Sequence, residues 1–429
     1  METMRCPGPR QHGHGPSDGR SPAANFHLMD IGSFRALRAP AGQALLRETA
    51  AADVSEDGLL ATASRLRERH DPSLVAAALT QVRLRERARA KFGADADRMY
   101  FTQAGLEQST RASVAAHRAR RFRDRLSKAR VLELGCGIGA DLIARAQEGL
   151  AGEGVELDPL TAEVARANVA AFGLDASVRV GDATEEDPSG FDAVFADPGR
   201  RTARGRVFDP RSYEPPLDVV LGLARQVPAA CVKVAPGIPH EVVPEGAEAE
   251  WVSVNGDVKE AALWLGELAG DVGRRATLLS SGAMCTLTPQ GSDVPDVRAW
   301  GRYLYEPDGA VIRAHLVGEV AALVGGGLAD LNIAYVTSDE LRPTPFASAY
   351  EVEDVLPFSV KRLRAELRRR EVGVLTVKKR GSAVDVDKLR RDLGFGRRRP
   401  GHGAKELTLV VTRVGRDPVA LLTRPLPRP

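Results

Sequence analysis

The stretch 131–141 constrains the fold of this chain more than any other part of its sequence. It reads Val-Leu-Glu-Leu-Gly-Cys-Gly-Ile-Gly-Ala-Asp, an apolar run that breaks into glycines at three alternate positions, Gly135, Gly137 and Gly139. Glycine accepts positive φ angles and lets the backbone approach a ligand closely. The pattern therefore predicts a β-strand that turns sharply into a helix beside a bound ligand.

The spacing of these glycines narrows the class of ligand. A dinucleotide-binding fingerprint has the pattern G-x-G-x-x-G, whereas this chain has G-x-G-x-G preceded by Glu133. That arrangement resembles the first motif of the class I S-adenosylmethionine-dependent methyltransferases. The resemblance implies S-adenosyl-L-methionine as cofactor, with Glu133 facing its amino acid end. Alternatively, Glu133 is a strand residue that caps a neighbouring helix.

Two later strand ends carry acids at the distances that such a site needs. The segment Gly154–Pro159 follows the glycine loop at about the 20-residue distance of a Rossmann-type site, and its Glu156 is predicted to accept from the ribose hydroxyls. A third strand, 176–180, ends just before Asp182 and Ala183. These two resemble the family motif whose acid accepts from the adenine amino group. A buried parallel sheet with ordinary glycine turns would resemble each motif alone, but it does not predict them together.

A fourth strand, 191–196, ends in the sequence Asp-Pro-Gly-Arg-Arg. Methyltransferases that act on exocyclic amines of bases usually carry Asp, Asn or Ser here, followed by two prolines and an aromatic residue. Asp197 and Pro198 match that pattern and are the predicted catalytic residues, whereas glycine and arginine replace the second proline and the aromatic residue. Arg200 and Arg201 are predicted to bind substrate, because a planar guanidinium stacks on bases and binds oxyanions. A solvated loop whose arginines pair with nearby acids is the alternative.

Residues on both sides of this core resemble one bacterial family. Lys91-Phe92, Met99–Thr102 and Leu106–Gln108 are similar to the N-terminal module of a poorly characterised family. That family joins a helical segment to a methyltransferase core and a THUMP-like C-terminal domain. Alternating strand and helix patterns after residue 351 support the same resemblance. Since THUMP domains bind RNA, the resemblance implies a module that contacts RNA.

We expect an α/β protein with a Rossmann-like seven-stranded methyltransferase core, an N-terminal helical segment and a smaller α+β C-terminal domain. Apolar patterning predicts further core strands around 229–234, 250–253 and 276–286. The predicted boundaries are a disordered tail at 1–28, a helical domain at 29–126, a methyltransferase domain at 127–290, a connecting segment at 291–350 and a THUMP-like domain at 351–429.

Charge is distributed unevenly along the chain, although its net formal charge is only +3. Residues 81–130 and 361–429 are basic, and the core at 131–360 is acidic. Clusters of Lys and Arg attract phosphates whatever the nucleotide sequence, so the basic flanks favour RNA as the partner. A backbone clamp is predicted at Lys378, Lys379 and Arg380. The alternative is that the basic flanks dock onto the acidic core of the same chain.

Composition argues against several other classes of protein. No apolar run approaches the roughly 20 residues of a membrane span, and residues 1–28 lack the apolar segment of an export signal. The cysteines are widely separated and form no C-x-x-C pair, so no metal site or disulfide framework is predicted. We expect a cytoplasmic protein that is monomeric or weakly associating, with no metal and no membrane partner.

The motifs together predict an S-adenosylmethionine-dependent methyltransferase that acts on a base nitrogen of RNA. Methylation of a small molecule or a protein is the alternative within enzymes. A non-catalytic RNA-binding protein that retains a cofactor site is the alternative outside them, because the loop after Pro198 departs from the family pattern.

Overall fold

The structure is a computed structural model that describes residues 29–199, 201–202, 205–206, 209–280, 282–292, 295–395 and 405–427. The chain divides into two compact units, with the boundary between Arg87 and Ala88. The tail predicted at 1–28 lies outside the described residues.

The first unit is helical. Its helices are α1 Ile31–Arg38, α2 Pro40–Ala50, α3 Leu59–Arg67 and α4 Pro72–Phe92, the last of which continues into the second unit. The Asp30 side chain caps α1 by accepting from a backbone N–H three residues later at 2.7 Å. Pro40 opens α2, where a missing N–H removes no helical hydrogen bond. Apolar side chains such as Leu37, Leu45 and Leu66 are fully buried, so amphipathic patterning accounts for these helices.

The second unit contains a nine-stranded sheet. The elements of its first part are α5 Gln103–Gln108, α6 Ala112–Leu126, β1 Arg130–Leu134, α7 Ala140–Gln147, β2 Ala151–Glu156, α8 Pro159–Phe172, β3 Ala176–Val180, β4 Ala193–Ala196, β5 Arg201–Thr202, β6 Gly205–Arg206, α9 Leu217–Ala224, β7 Ala229–Val234, β8 Glu248–Val254, β9 Asp257–Gly266, β10 Arg274–Ser280 and β11 Ala283–Leu287. The strand order is β11-β10-β8-β9-β7-β4-β1-β2-β3, and β5 pairs with β6 in a separate hairpin. Strands β1 to β4 and β7 run parallel, so their carboxyl ends share one edge of the sheet.

Both faces of the central strands are buried. Alternate residues of β1 and β4, such as Val131 and Phe195, pack with Phe122 of α6. Their neighbours in sequence, such as Leu132, pack with Val220 of α9. A strand covered on both faces is apolar at nearly every position, which explains the nearly continuous apolar runs in the sequence.

The fold class is confirmed, with two strands more than the predicted seven. Strand β9 is missing from the prediction, although Asn255-Gly256 gives a strong hairpin signal. Both residues have positive φ, at +52° and +88°, and form the two-residue turn between antiparallel β8 and β9. The single strand predicted at 276–286 is two strands, β10 and β11, which turn at Gly282 with a φ of +85°.

A seven-stranded sheet follows in the same unit. Its elements are β12 Tyr303–Pro307, α10 Gly309–Arg313, α11 Val317–Val324, β13 Gly327–Asp330, β14 Ile333–Ser338, β15 Ala347–Pro357, α12 Val360–Arg369, β16 Val372–Lys379, α13 Val386–Asp392, β17 Lys405–Val414 and β18 Asp417–Pro425. The strand order is β13-β14-β12-β15-β18-β17-β16. Strands β16 and β17 pair in parallel, and the other neighbours are antiparallel.

The stretch 291–350, which we expected to connect two domains, contributes strands β12 to β14 and helices α10 and α11. Tyr305 and Val311 from this stretch are fully buried in the same hydrophobic cluster as Leu132 and Val232 of the first sheet. Its short apolar runs therefore join the two sheets through one continuous core, which sequence patterning could not reveal because the contacts link residues far apart in the chain.

Candidate functional site

A cleft of about 700 Å³ opens at the carboxyl ends of β1 to β4. Ligands bind at this edge in open parallel α/β sheets. Most of the predicted cofactor and catalytic residues line the cleft, namely Glu133, Gly135, Gly137, Glu156, Asp182, Ala183 and Asp197. Residues that the sequence did not single out, among them Thr110 after α5 and Glu214 before α9, also line it. Gly139 and Pro198 are adjacent in sequence to lining residues but do not line the cleft themselves.

The glycine loop has the backbone conformation that its sequence predicts. Gly135, Gly137 and Gly139 have φ angles of +73°, +54° and +82°, which glycine adopts without strain. A Cβ on Gly137 would meet no protein atom within 4 Å, so the loop leaves room for a ligand to approach the backbone. Gly139 has a different role, because it packs against α8. A Cβ at this position would lie 3.5 Å from the Ala165 Cβ, so the absence of a side chain lets the start of α7 approach α8.

The Glu156 carboxylate is held at the end of β2 beside this loop. The Gly137 N–H donates to Glu156 Oε2 at 2.9 Å, and the Asp158 N–H donates to Oε1 at 3.0 Å. A carboxylate offers about four acceptor positions, so two remain for the hydroxyls of a ligand. The backbone thus fixes the orientation of this side chain in the cleft.

Asp182 and Ala183 lie at the end of β3. Asp182 Oδ1 accepts from the Thr184 N–H at 2.8 Å and from the Thr184 hydroxyl at 2.7 Å. These hydrogen bonds, led by the one from the backbone, lower the pKa of Asp182. The group is therefore an ionised acceptor at neutral pH, with its second oxygen available to a donor in the cleft.

Glu133 is almost fully buried at the end of β1 and pairs with Arg145 of α7. Burial raises the pKa of Glu133 to about 8, against the attraction of Arg145. The alternative prediction for Glu133 is that it caps a helix. A capping carboxylate accepts from the N–H groups of a helix terminus, whereas Glu133 contacts a side chain of α7. Glu133 therefore presents a partly neutralised carboxyl group at the floor of the cleft.

Asp197 pairs with a buried lysine that sequence reasoning missed. Lys233 Nζ lies 2.5 Å from Asp197 Oδ2 and 3.0 Å from Thr110 Oγ1. Lys233 is 4% exposed, and it is the one charged residue in the otherwise apolar β7. A buried ammonium needs a partner, so a lone lysine in a fully buried strand was the available signal. Lys233 fixes one oxygen of Asp197 and leaves the other toward the cleft.

Lys233 also lies 4.0 Å from Glu260, which links this pair to a larger network of buried charges. Arg118 of α6 is 2% exposed; it bonds Asp141 at 2.7 Å and also pairs with Glu260 of β9. Burial acts to raise the pKa of Asp141, but Arg118, Lys233 and Arg145 together outweigh it and hold that pKa at about 2. Arg121 likewise bonds Glu248 at 2.7 Å. These two arginines of α6 dock onto core acids, as the alternative interpretation of the basic flanks proposed.

The predicted clamp residues Lys378, Lys379 and Arg380 lie in the second sheet, apart from these groups. Arg200 and the side chain of Arg201 are outside the described part of the chain. Lys378 Nζ lies 2.5 Å from Glu306 Oε2, and Arg380 lies 3.7 Å from the other oxygen of the same carboxylate. Lys379 is exposed and donates to a backbone carbonyl at 2.7 Å. The three belong to β16 and the residue after it, in the second sheet.

The residues of the cleft fit a nucleoside cofactor with an amino acid end. The glycine loop leaves space where a Cβ would otherwise project, and carboxylates lie at the ends of β1, β2 and β3. Such a loop followed by an acid at the end of the second strand is the nucleoside-binding arrangement of Rossmann-like folds. Fold and cleft together define a Rossmann-like methyltransferase.

Comparison with known proteins identifies the family. An uncharacterized S-adenosylmethionine-dependent methyltransferase of Mycobacterium tuberculosis (strain CDC 1551 / Oshkosh) is 37% identical over 360 residues, covering 81% of this chain and 95% of the relative. A second strain of that organism, ATCC 25618 / H37Rv, has a relative with the same identity and coverage. This chain belongs to the S-adenosylmethionine-dependent methyltransferases, and its cofactor is S-adenosyl-L-methionine.

Other comparisons support the arrangement of the chain. Residues 347–425 match a family described as THUMP domain-like, and residues 30–88 match a domain of unknown function (DUF8688). A crystal structure from Porphyromonas gingivalis W83, described as a methyltransferase, has a TM-score of 0.68 at 23% identity. The alignment covers 84% of this chain and 92% of that one, which shows the same fold.

Two further observations concern partners. Within the part of the chain that the structure describes, no three His, Cys, Asp or Glu side chains are placed to hold a metal ion. None of the helices described there is both long enough and apolar enough to cross a membrane.

Proposed function

We propose that this enzyme methylates a base nitrogen of RNA. The observation that carries the RNA assignment is a cationic surface on α12 and α13, within the THUMP domain-like region. These two helices contain eight Lys and Arg against three Asp and Glu. Lys and Arg in such numbers supply the attraction for phosphates that underlies binding to nucleic acids.

The cationic surface is built on a pair of anchored helices. Leu363 and Leu367 of α12 and Leu389 of α13 are buried in one cluster against β16 to β18. Arg364 Nε donates to the Asp392 carbonyl at 2.8 Å and ties the two helices together. The exposed cations of α12 and α13 without an ion-pair partner among the described residues are Lys361, Arg362, Arg364, Arg368, Lys388, Arg390 and Arg391. Because they are unpaired, their charge is available to phosphates.

The predicted clamp contributes less to this surface. Lys378 and Arg380 both contact Glu306, which offsets part of their charge. Lys379 is exposed and adds to the cationic region. We therefore assign most of the phosphate contacts to α12 and α13 and retain Lys379 as a further contact.

The groups in the cleft support transfer to nitrogen. Bound S-adenosyl-L-methionine supplies a methyl group made electrophilic by its sulfonium. We assign Glu156 to the ribose hydroxyls, Asp182 and Ala183 to the adenine, and Glu133 to the amino acid end of the cofactor. The oxygen of Asp197 that is free of Lys233 accepts from the target amine and orients it, and Pro198 fixes the backbone after Asp197. Alignment of the target nitrogen with the methyl group lowers the activation free energy by several kcal/mol, up to about 10 kcal/mol.

One observation favours a small molecule or protein substrate instead. Arg118 and Arg121 are committed to core acids, so this part of the first basic flank does not face a polyanion. The assignment to RNA consequently depends on the C-terminal surface.

Transfer of labelled methyl groups from S-adenosyl-L-methionine tests the proposal. Purified enzyme is incubated with total RNA, total DNA, protein extract or small metabolites from cells that lack the gene. We expect label in one size class of RNA, recovered after digestion as a nucleoside methylated on nitrogen. Label in protein or metabolites alone would overturn the RNA assignment, and label on carbon or ribose would overturn the role of Asp197.

A further inference from the structure

A second cleft lies between the two sheets of the second unit. It is lined by the loop after β7, residues 235–241, by Gly309, Ile312, Arg313 and His315 around α10, and by Arg380 after β16. The loop starts two residues after Lys233, the partner of Asp197. The seven residues from Lys233 to His240 span at most roughly 25 Å, so the two clefts lie within a few nucleotides of one another.

Three aromatic rings form a stack in this cleft. His240 lies 4.8 Å from the Trp251 ring at an interplanar angle of 17°, and 3.8 Å from the His315 ring at 10°. Two rings cannot share one face of an imidazole at such separations, so His240 lies between Trp251 and His315. Trp251 is fully buried and His315 is exposed. The stack therefore begins in the core and ends with a ring whose outer face borders the cleft.

Hydrogen bonds and packing hold the stack in place. The Trp251 indole N–H donates to the Pro236 carbonyl at 3.0 Å, and His240 Nε2 lies 2.8 Å from the Arg313 carbonyl. A carbonyl only accepts, so Nε2 of His240 carries the proton. Burial, together with the neighbouring His240, lowers the pKa of His315, which leaves that ring mainly uncharged at neutral pH.

His315 occupies a strained backbone position. Its φ is +55° at the end of α10, where the N–H groups of His315 and Leu316 donate to the Ile312 and Val311 carbonyls at 3.1 and 3.0 Å. These bonds define a helix terminus at which the left-handed residue is usually glycine. A side chain persists there against a conformational cost, and such strain clusters at ligand sites.

Two guanidinium groups border the same cleft. Arg313 is exposed, and its guanidinium lies close to Gly237 in the loop after β7. A Cβ added to Gly237 would be 3.3 Å from Arg313 Nη1. Arg380 stacks over the Tyr335 ring at 5.2 Å and lies 3.7 Å from Glu306, which offsets part of its charge, and its buried Nε has no hydrogen-bond partner among the described residues. Glu241 is the carboxylate in the lining. An exposed ring beside two guanidinium groups suits a planar base attached to a phosphate.

We propose that this second cleft binds a nucleoside phosphate, with the base stacked on His315 and the phosphate bound by Arg313 and Arg380. The inference rests on the proposed function in that the nucleotide belongs to the RNA substrate, near the base that is methylated. A free nucleotide has the same chemistry and is the other source of such a ligand.

Binding of two probes to the full-length protein tests the site. The probes are 5′-AMP and a single-stranded hexa-adenylate, titrated by calorimetry with wild type, His315→Gly, His315→Tyr and Arg313→Met. Removing one stacked ring lowers affinity by about tenfold or more on general stacking strengths. We expect that loss for His315→Gly, recovery for His315→Tyr, and a smaller salt dependence for Arg313→Met. Tighter wild-type binding of the hexamer than of 5′-AMP, lost in His315→Gly, assigns the site to an RNA strand, whereas equal wild-type affinity for the two probes assigns it to free nucleotides.

Stability separates this role from a structural one. Glycine relieves the strain at position 315, so His315→Gly is expected to unfold at the same temperature as wild type or higher, with unchanged affinity for S-adenosyl-L-methionine. Unchanged affinity of His315→Gly for both probes would overturn the inference. The methyl-transfer assay on total RNA is independent of this result, because failure there with probe binding intact contradicts the RNA substrate and not the nucleotide site.

Discussion

At the scale of single residues, the pair of Asp197 and Lys233 is the contact on which the assigned chemistry depends. Lys233 is buried, and its ammonium bonds one Asp197 oxygen at 2.5 Å. Loss of a positioned acid or base typically lowers a rate by about 10² to 10⁴. Asp197→Ala is therefore expected to lower kcat for methyl transfer at least about 100-fold while leaving cofactor affinity nearly intact. Turnover and calorimetric titration with S-adenosyl-L-methionine measure the two effects.

Two variants sharpen this test. Lys233→Met leaves the Asp197 carboxylate without its buried partner, so we expect a fall in kcat that is smaller than that of Asp197→Ala. Asp218→Ala removes an exposed acid at the start of α9 and is the matched control, with wild-type turnover expected. Equal loss of cofactor affinity in Asp197→Ala and in a variant of the ribose acid would contradict the separation of their roles.

Glu156 supplies the second prediction at this scale. Its carboxylate is fixed by two backbone N–H groups beside the glycine loop. Hydrogen bonds to a charged group contribute about 1.5 to 3 kcal/mol, so Glu156→Ala should weaken binding of S-adenosyl-L-methionine by about 10- to 100-fold. Glu185→Ala, an exposed acid near the end of β3, is expected to bind the cofactor like wild type. Wild-type cofactor affinity in Glu156→Ala would reject the ribose assignment.

At the scale of elements, α12 and α13 carry the expected contacts with RNA. Each phosphate contact on a single strand contributes about 0.7 to the slope of log affinity against log salt. Reversing charge at Arg362, Arg368 and Arg390 should therefore weaken RNA binding and lower the slope by about 2. Filter binding of total RNA across a series of salt concentrations measures both.

A matched set of exposed arginines controls for total charge. Arg125, Arg225 and Arg416 lie outside α12 and α13 and have no ion-pair partner among the residues that the structure describes. Their reversal to Glu changes the net charge by the same amount, and we expect a near wild-type slope. Equal slopes in the two triple variants would place the RNA contacts elsewhere.

At the scale of the whole molecule, buried carboxylates set the response of stability to acid. Burial acts to raise the pKa of both Glu250 and Asp141. His117 and the neighbouring donors nevertheless hold the pKa of Glu250 at about 2, and Arg118, Lys233 and Arg145 hold that of Asp141 at about 2. A depressed pKa in the folded state stabilises the protein above the unfolded pKa, near 4, and that contribution is lost as pH falls toward 2. Each group contributes about 2 to 3 kcal/mol on this basis.

The prediction is a steep loss of unfolding free energy between pH 4.5 and 2, with a smaller loss in Glu250→Gln. The three tryptophans, at positions 251, 264 and 300, all lie in the second unit, so urea unfolding followed by their fluorescence reports on that unit. Glu133 affects the unfolding free energy over a different pH range. Its raised pKa means that its contribution is full below about 4.5 and declines as pH rises toward 8. The same acid dependence in wild type and Glu250→Gln would contradict the role of Glu250.

Sequence by itself determined the parts of this protein that depend on neighbours in the chain. The glycine loop, Glu156 and Asp182 were predicted because a strand end, its turn and the following helix are encoded within a few residues. The family follows from the same local motifs. The missed hairpin at Asn255-Gly256 was also encoded locally, so it was within reach of sequence analysis.

Only the tertiary structure decided which distant residues meet. Lys233 and Asp197 are separated by 36 positions, and Arg118 and Glu260 by 142, so no local pattern could pair them. The stack of Trp251, His240 and His315 likewise joins separate segments. Burial of charge requires a partner, and the fold selects that partner by bringing strands and helices together from across the chain.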